Sequence, residues 1–258
     1  MVLKTKMLYK KKLFLYIIGS FSLILGYAFK ENSAGGGLHD FNILSPYILK
    51  FSKEGFSVIN EYLSNDSTLI HSPFFYYISG KLSNLLGGFE NFRIFYLFLC
   101  LILPYIYFKI LDEKKDSREI NIYLLSFLIF LSPYYRTSAI WTLGDNFSLI
   151  FFGLFTYFLI KGEKYSNLKY FLLSLIFLVF CSYTRYYYAT FWILYIYIIY
   201  KQFGFKIVIQ QTLFSFILSI PALIYFGYIF SNYNFLSLLE NQSSFNFLKN
   251  IFQILSIL

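Results

Sequence analysis

Charge is what this sequence has least of. Lys, Arg, Asp and Glu together make up 14% of its 258 residues, against about a quarter in soluble domains. With 58% hydrophobic residues and a mean hydropathy of +0.59, that shortage excludes an ordinary soluble domain and points to an integral membrane protein. Apolar runs recur along the whole length, which excludes a cleavable signal peptide followed by a soluble domain. Cysteine is scarce as well. Cys100 and Cys181 are the only two, and each falls inside an apolar run, where it reads as a small buried hydrophobe rather than half of a disulfide. Internal repeats and low-complexity tracts are missing, and so is any glycine-rich phosphate-binding loop. The net charge of +9 would suggest nucleic acid in a soluble protein. Here the lysines cluster in short segments between apolar runs, so membrane topology explains them and a nucleic-acid partner is not expected.

Arginine is rarer than lysine, with only Arg93, Arg118, Arg136 and Arg185. A chain that defaults to Lys keeps Arg where a planar, bidentate fork is needed.

A helix crossing about 30 Å of hydrocarbon needs roughly 20 residues. Segments 13 to 29, 92 to 111 and 207 to 231 meet or approach that length; 120 to 135 and 146 to 160 are shorter. The apolar stretch from Tyr170 to Tyr200 is interrupted by Arg185. Reading it as two short helices with Arg185 at an outer turn leaves 14 of the 22 basic residues in cytoplasmic segments, from Lys4 to Lys12, Lys109 to Arg118, Lys161 to Lys169, and Lys201 with Lys206. A single helix would move Lys201 and Lys206 outside, against the positive-inside tendency. The expectation is therefore an all-α, polytopic bundle of about seven spans forming one transmembrane domain over 1 to 258, with a cytoplasmic N-terminus, in a bacterial plasma membrane. The chain ends within an apolar run, so it is also read as an N-terminal portion of something longer.

A large outer loop, about 30 to 92, follows the first span. It holds both histidines, His39 and His71, and six of the thirteen acids: Glu31, Asp40, Glu54, Glu61, Asp66 and Glu90. Ser72 and Pro73 form a cap and first-turn signature for a helix reaching about Leu86. This helix and the segment from Ser45 to Leu63 are expected to lie flat on the outer surface, unless the former crosses the membrane.

Asp40 lies in GGGLHDF, where three glycines let the backbone turn tightly. A carboxylate there suits either a helix cap or solvated loop acid, or a base that deprotonates a hydroxyl acceptor. Arg136 and Arg185 fall at outer ends of short spans in aromatic contexts; each suits either snorkelling to headgroups or bidentate phosphate binding. Asp145 opens the fourth span as a cap, and a pairing with Arg136 would hold that guanidinium for an anionic ligand. His39, Asp40, Asp66 and His71 match no tight metal-ligand spacing, so no protein-bound metal is assigned, although two His and two carboxylates suit a divalent ion chemically. His71 is read as a hydrogen-bond donor to phosphate or to a neighbouring loop.

The order of these features resembles the GT-C fold sugar transferases that use polyprenyl-linked donors, such as the protein O-mannosyltransferases and the aminoarabinose transferases. In that resemblance Asp40 stands for the loop carboxylate, HSPFFYYI at 71 to 78 for a Pro-containing loop motif, Arg93 for the arginine opening the next span, and Arg136 with Asp145 for a later outer pair. Phe41 follows Asp40 where the mannosyltransferases have Glu, and Ser72 replaces the first Pro of the motif, so no subfamily is assigned. The resemblance implies an inverting transfer of a sugar from a polyprenyl phosphate to a hydroxyl of a glycan, lipid or protein acceptor. Asp40 would be the base and Arg136 and Arg185 the donor-phosphate ligands, with His39, Asp66, His71 and Asp145 in support. No cofactor is implied. Two other classes remain open, a lipid-linked glycan polymerase or ligase and a non-enzymatic transporter or flippase. Transport is disfavoured because the apolar segments are almost free of charge between their ends.

Overall fold

A computed structural model describes residues 2–64, 72–113 and 122–232. Among these the secondary structure is helical, without strands. The first helix, α1 (Val2–Ala28), leads to an irregular segment and then α2 (Gly37–Glu54), a 3₁₀ turn and the short α3 (Ile59–Ser64). Next comes α4 (Phe74–Leu85), then α5 (Phe89–Cys100) and α6 (Ile102–Glu113), which run on as one span-length unit. A short α7 (Ile122–Phe127) and a 3₁₀ turn precede α8 (Pro133–Ile140). The long α9 (Gly144–Tyr165) forms a hairpin with α10 (Leu168–Thr184), and α11 (Phe191–Phe203) and α12 (Phe205–Asn232) complete the described chain.

Two of these units are long and apolar enough to cross a membrane, Phe89–Glu113 and Phe205–Ile229. A third exists if α8 and α9, bent by 115°, count as one span. The all-helical class and its membrane character thus hold, with two to three candidate spans among the described residues rather than a demonstrated seven.

The expected 120 to 135 span is broken. Residues preceding proline avoid the α region, and Ser132 is extended before Pro133, its hydroxyl accepting from the Tyr135 amide at 3.4 Å to start a new helix. The stretch between Ser132 and Asn146 therefore contains α8. Asn146 secures the bend, its amide group donating to the Tyr135 carbonyl at 2.8 Å while its backbone N–H donates to Ser138 Oγ at 3.1 Å. By contrast, the interruption at Arg185 falls where expected, with a 3₁₀ turn (Tyr186–Thr190) between α10 and α11. The helix after Ser72 and Pro73 also appears, with the Phe74 N–H donating to Ser72 Oγ at 3.3 Å. Both cysteines are free and buried.

Tyrosine hydroxyls bind the helices together through carbonyls. Pro104 has no N–H to give to the Cys100 carbonyl, and the Tyr135 hydroxyl donates to that oxygen at 2.9 Å. Tyr16 reaches the neighbouring Leu101 carbonyl at 2.9 Å, Tyr195 the Phe171 carbonyl at 3.0 Å and Tyr183 the Leu218 carbonyl at 2.6 Å. In an apolar medium each such bond spares a polar group that water cannot reach. The core divides into two clusters, one centred on α2, α4, α5, α6 and α8 and joined by Leu23 of α1, Ile150 of α9 and Ile229 of α12, the other among α9, α10, α11 and α12.

Candidate functional site

The two ends of the long α9 carry opposite chemistry. At its C-terminal end, Glu113 of α6 pairs with Lys164 at 3.0 Å and Lys161 at 3.7 Å. Gln202 of α11 joins them, donating to the Glu163 carbonyl and to Ser166 Oγ at 2.8 Å. At the N-terminal end, Asp145 sits in the first turn, where the helix dipole favours an anion, and its carboxylate takes Arg185 Nη2 at 2.7 Å. The arginine is the more enclosed partner, its side chain 17% exposed against 46% for the aspartate. The acid nine residues after Arg136 in sequence therefore serves the other arginine.

Arg136 has a different occupation. Its Nε donates to Glu31 Oε1 at 2.7 Å, Nη1 to Ser22 Oγ at 3.0 Å and to the Phe130 carbonyl at 3.3 Å, and Nη2 to the Ser22 carbonyl at 3.1 Å and to Glu31 Oε2. A guanidinium has five N–H donors, and all are used. The hydrogen bonds from Arg136 hold the Glu31 carboxyl below the usual range. Arg136 thus clamps the end of α1 to α8, and a phosphate would have to break that clamp to reach it.

The triple glycine also has a structural use. A Cβ on Gly37 would lie 2.1 Å from Thr137 Cγ2, so the backbone at the start of α2 lies against the Thr137 side chain of α8. The Ala34 N–H donates to Thr137 Oγ1 at 3.1 Å, and Trp141 Nε1 donates to the Glu31 carbonyl at 2.9 Å. Asp40, in the first turn of α2, and His39 are both exposed. Behind Asp40, Phe41 packs on Trp141 and receives the Arg93 guanidinium over its ring at 4.8 Å. Arg93 is fixed in turn by Glu90 at 3.0 Å and by the Tyr27 ring. Arg93 therefore braces the helix that carries Asp40. Asp66 and His71 lie outside the described residues.

The start of α4 wedges between the two elements that hold the Asp145–Arg185 pair. Phe74 stacks on Tyr183 and Phe180 of α10, while the Phe75 ring meets Gly144 at the start of α9. Next to them the buried Tyr76 hydroxyl is pushed well up, first by burial, with the charges of Arg185, Asp145 and Asp40 all acting on it. Three of the expected site residues thus act electrostatically on Tyr76. Arg136 is not among them. Sequence reasoning passed over Tyr76 because 26 tyrosines give no reason to single one out.

Beside this cluster lies a cavity of about 330 Å³ between α4, α10, the 3₁₀ turn and α12. Phe74, Trp192, Leu223 and Phe226 make its apolar wall; Ser72, Tyr186 and Tyr225 add hydroxyls. Burial raises Tyr186 to about 12, with Tyr225 and Ser72 as its polar neighbours. Tyr186 directly follows Arg185 in the chain, while Arg185 and Asp145 themselves do not line the cavity. Among the described residues no cluster of three or more His, Cys, Asp or Glu forms a metal-binding group. No family model, curated protein or solved structure matches this chain.

Proposed function

We propose that this protein is an integral membrane glycosyltransferase that moves a sugar from a polyprenyl phosphate to a hydroxyl acceptor at the outer face of the membrane, as an inverting enzyme of GT-C type in cell-surface glycan or glycolipid synthesis. The observation that carries this reading is an Asp-held, largely enclosed arginine whose neighbour in sequence, Tyr186, lines an amphiphilic cavity. Arg185, oriented by Asp145, supplies a fork for a phosphate. The apolar wall of that cavity accepts the start of an isoprenoid chain. Asp40, whose charge reaches the same tyrosine, is the base.

In the proposed step, Asp40 takes the proton of the acceptor hydroxyl as that oxygen attacks the anomeric carbon. The bond from this carbon to the phosphate oxygen breaks with inversion, and polyprenyl phosphate departs with the bonding electrons. Its growing negative charge is met by Arg185. The topology belonging to this reading has seven spans, a cytoplasmic N-terminus, and α2 and α4 lying flat on the outer side in a bacterial plasma membrane. It is supported by the lysine-rich contacts among Glu113, Lys161 and Lys164 at the opposite end of α9, a helix of 22 residues and so about 33 Å long.

The test is transfer by Asp40→Asn. Losing the general base should lower the rate by about 10²- to 10⁴-fold while leaving membrane insertion and the thermal midpoint unchanged. Transfer at the wild-type rate in that variant would overturn the mechanism.

A further inference from the structure

Tyr187 is built into the site in a way that the proposed transfer does not yet use. It lies two residues after Arg185, and both Arg185 and Asp145 act electrostatically on its hydroxyl. The residue is 59% exposed, yet its ring has a packed neighbour. One side rests on the Tyr188 ring at 4.6 Å, and Tyr188 is itself buried against Phe152 at 4.9 Å and Phe191 at 6.2 Å. The backbone is pinned as well, with Thr190 Oγ1 donating to the Tyr187 carbonyl at 2.8 Å. An aromatic ring held by its neighbours is thereby presented at the protein surface two residues from Arg185.

The negative face of an aromatic ring attracts polarised C–H groups. A sugar ring has such a C–H face, and in a polyprenyl-phosphate donor the sugar is joined directly to the phosphate. A donor whose phosphate sits on Arg185 therefore carries its sugar within reach of this ring. We infer that Tyr187 is the platform on which the donor sugar stacks, and so the residue that sets how tightly the sugar, as distinct from the lipid phosphate, is held. This rests on the glycosyltransferase reading. A tyrosine that merely anchors the protein at the membrane interface would act on every lipid alike.

The experiment uses the full chain in lipid nanodiscs, with wild type, Tyr187→Phe and Tyr187→Ala each titrated with two kinds of probe. One is bare decaprenyl phosphate; the other is decaprenyl phosphate carrying arabinose, mannose or glucose. The expected result is that at least one sugar-bearing lipid binds wild type more tightly than the bare lipid. Tyr187→Ala then weakens that binding by about tenfold without changing the bare lipid, and Tyr187→Phe keeps it. Equal loss for bare and sugar-bearing lipids, no loss for either, or no gain from any sugar in wild type would overturn the inference and leave the proposed function standing. Absence of binding to any lipid phosphate by wild type would overturn the proposed function itself.

Discussion

Arginine side chains at two predicted outer positions turn out to have different partners, Asp145 for Arg185 and Glu31 for Arg136. Arg136 spends all five on Glu31, Ser22 and the Phe130 carbonyl, so its charge is committed to holding α1 against α8. Removing its partner leaves a mostly enclosed cation without an anion. Glu31→Gln should therefore lower the thermal midpoint in detergent by about 5 °C, from a loss of about 2 kcal/mol. The pH dependence follows from the sign of the shift. Glu31 titrates below its usual 4.5 because Arg136 bonds the charged form, so its stabilisation is fully present above pH 4.5 and is lost as pH falls through the lower folded value. The gap between wild type and Glu31→Gln should hold from neutral pH down to about 4.5 and narrow below it. A gap that stays constant to pH 3 would mean that the ion pair is not what Glu31 contributes. The candidate acids in the sequence did not reveal this pairing, because Glu31 and Arg136 are 105 residues apart and only the docking of α8 on α1 joins them. Asp145 misled for the same reason. Its nearest arginine in sequence is Arg136, but its partner in space is Arg185.

Helices α2 and α4 show what an element contributes to the site. They meet backbone to backbone at Gly80, where a Cβ would lie 2.7 Å from the Ser52 nitrogen and 2.9 Å from the Ile48 carbonyl oxygen. Neither atom belongs to a flexible side chain, so the helices would have to separate. Gly80→Ala should cost about 1–3 kcal/mol, seen as a fall in the thermal midpoint; an unchanged midpoint would show that the pair is not packed so closely. Because α2 carries Asp40 and α4 carries Tyr76, the same change should also lower transfer. At this scale much was legible in the sequence. The Ser72–Pro73 helix start and the break at Arg185 depend on neighbouring residues, and both appear where the local signals put them. The glycine at position 80 reads as a weakness in a helix until its neighbour is known. At the end of the 120 to 135 segment, the Ser132–Pro133 pair ends one helical stretch and starts another.

For the whole molecule, two ends of one helical bundle are chemically distinct: lysines around Glu113 at one, and the Asp145–Arg185 pair at the other. Composition made the membrane character and the helical class legible, since both follow from apolar content and run length. The number of spans was less so. Several helices are short or bent, and hydropathy cannot distinguish a short span from a buried helix. The central claim is that the outer end binds a lipid phosphate through Arg185. It is tested most directly by measuring binding of decaprenyl phosphate to the purified full chain in nanodiscs, wild type against Arg185→Gln, with the thermal midpoint confirming that both are folded. A lost bidentate, charge-assisted contact is worth about 1.5–3 kcal/mol, so Arg185→Gln should weaken binding by about tenfold to a hundredfold. Equal affinity in the two proteins, or no binding by the wild type, would contradict the account.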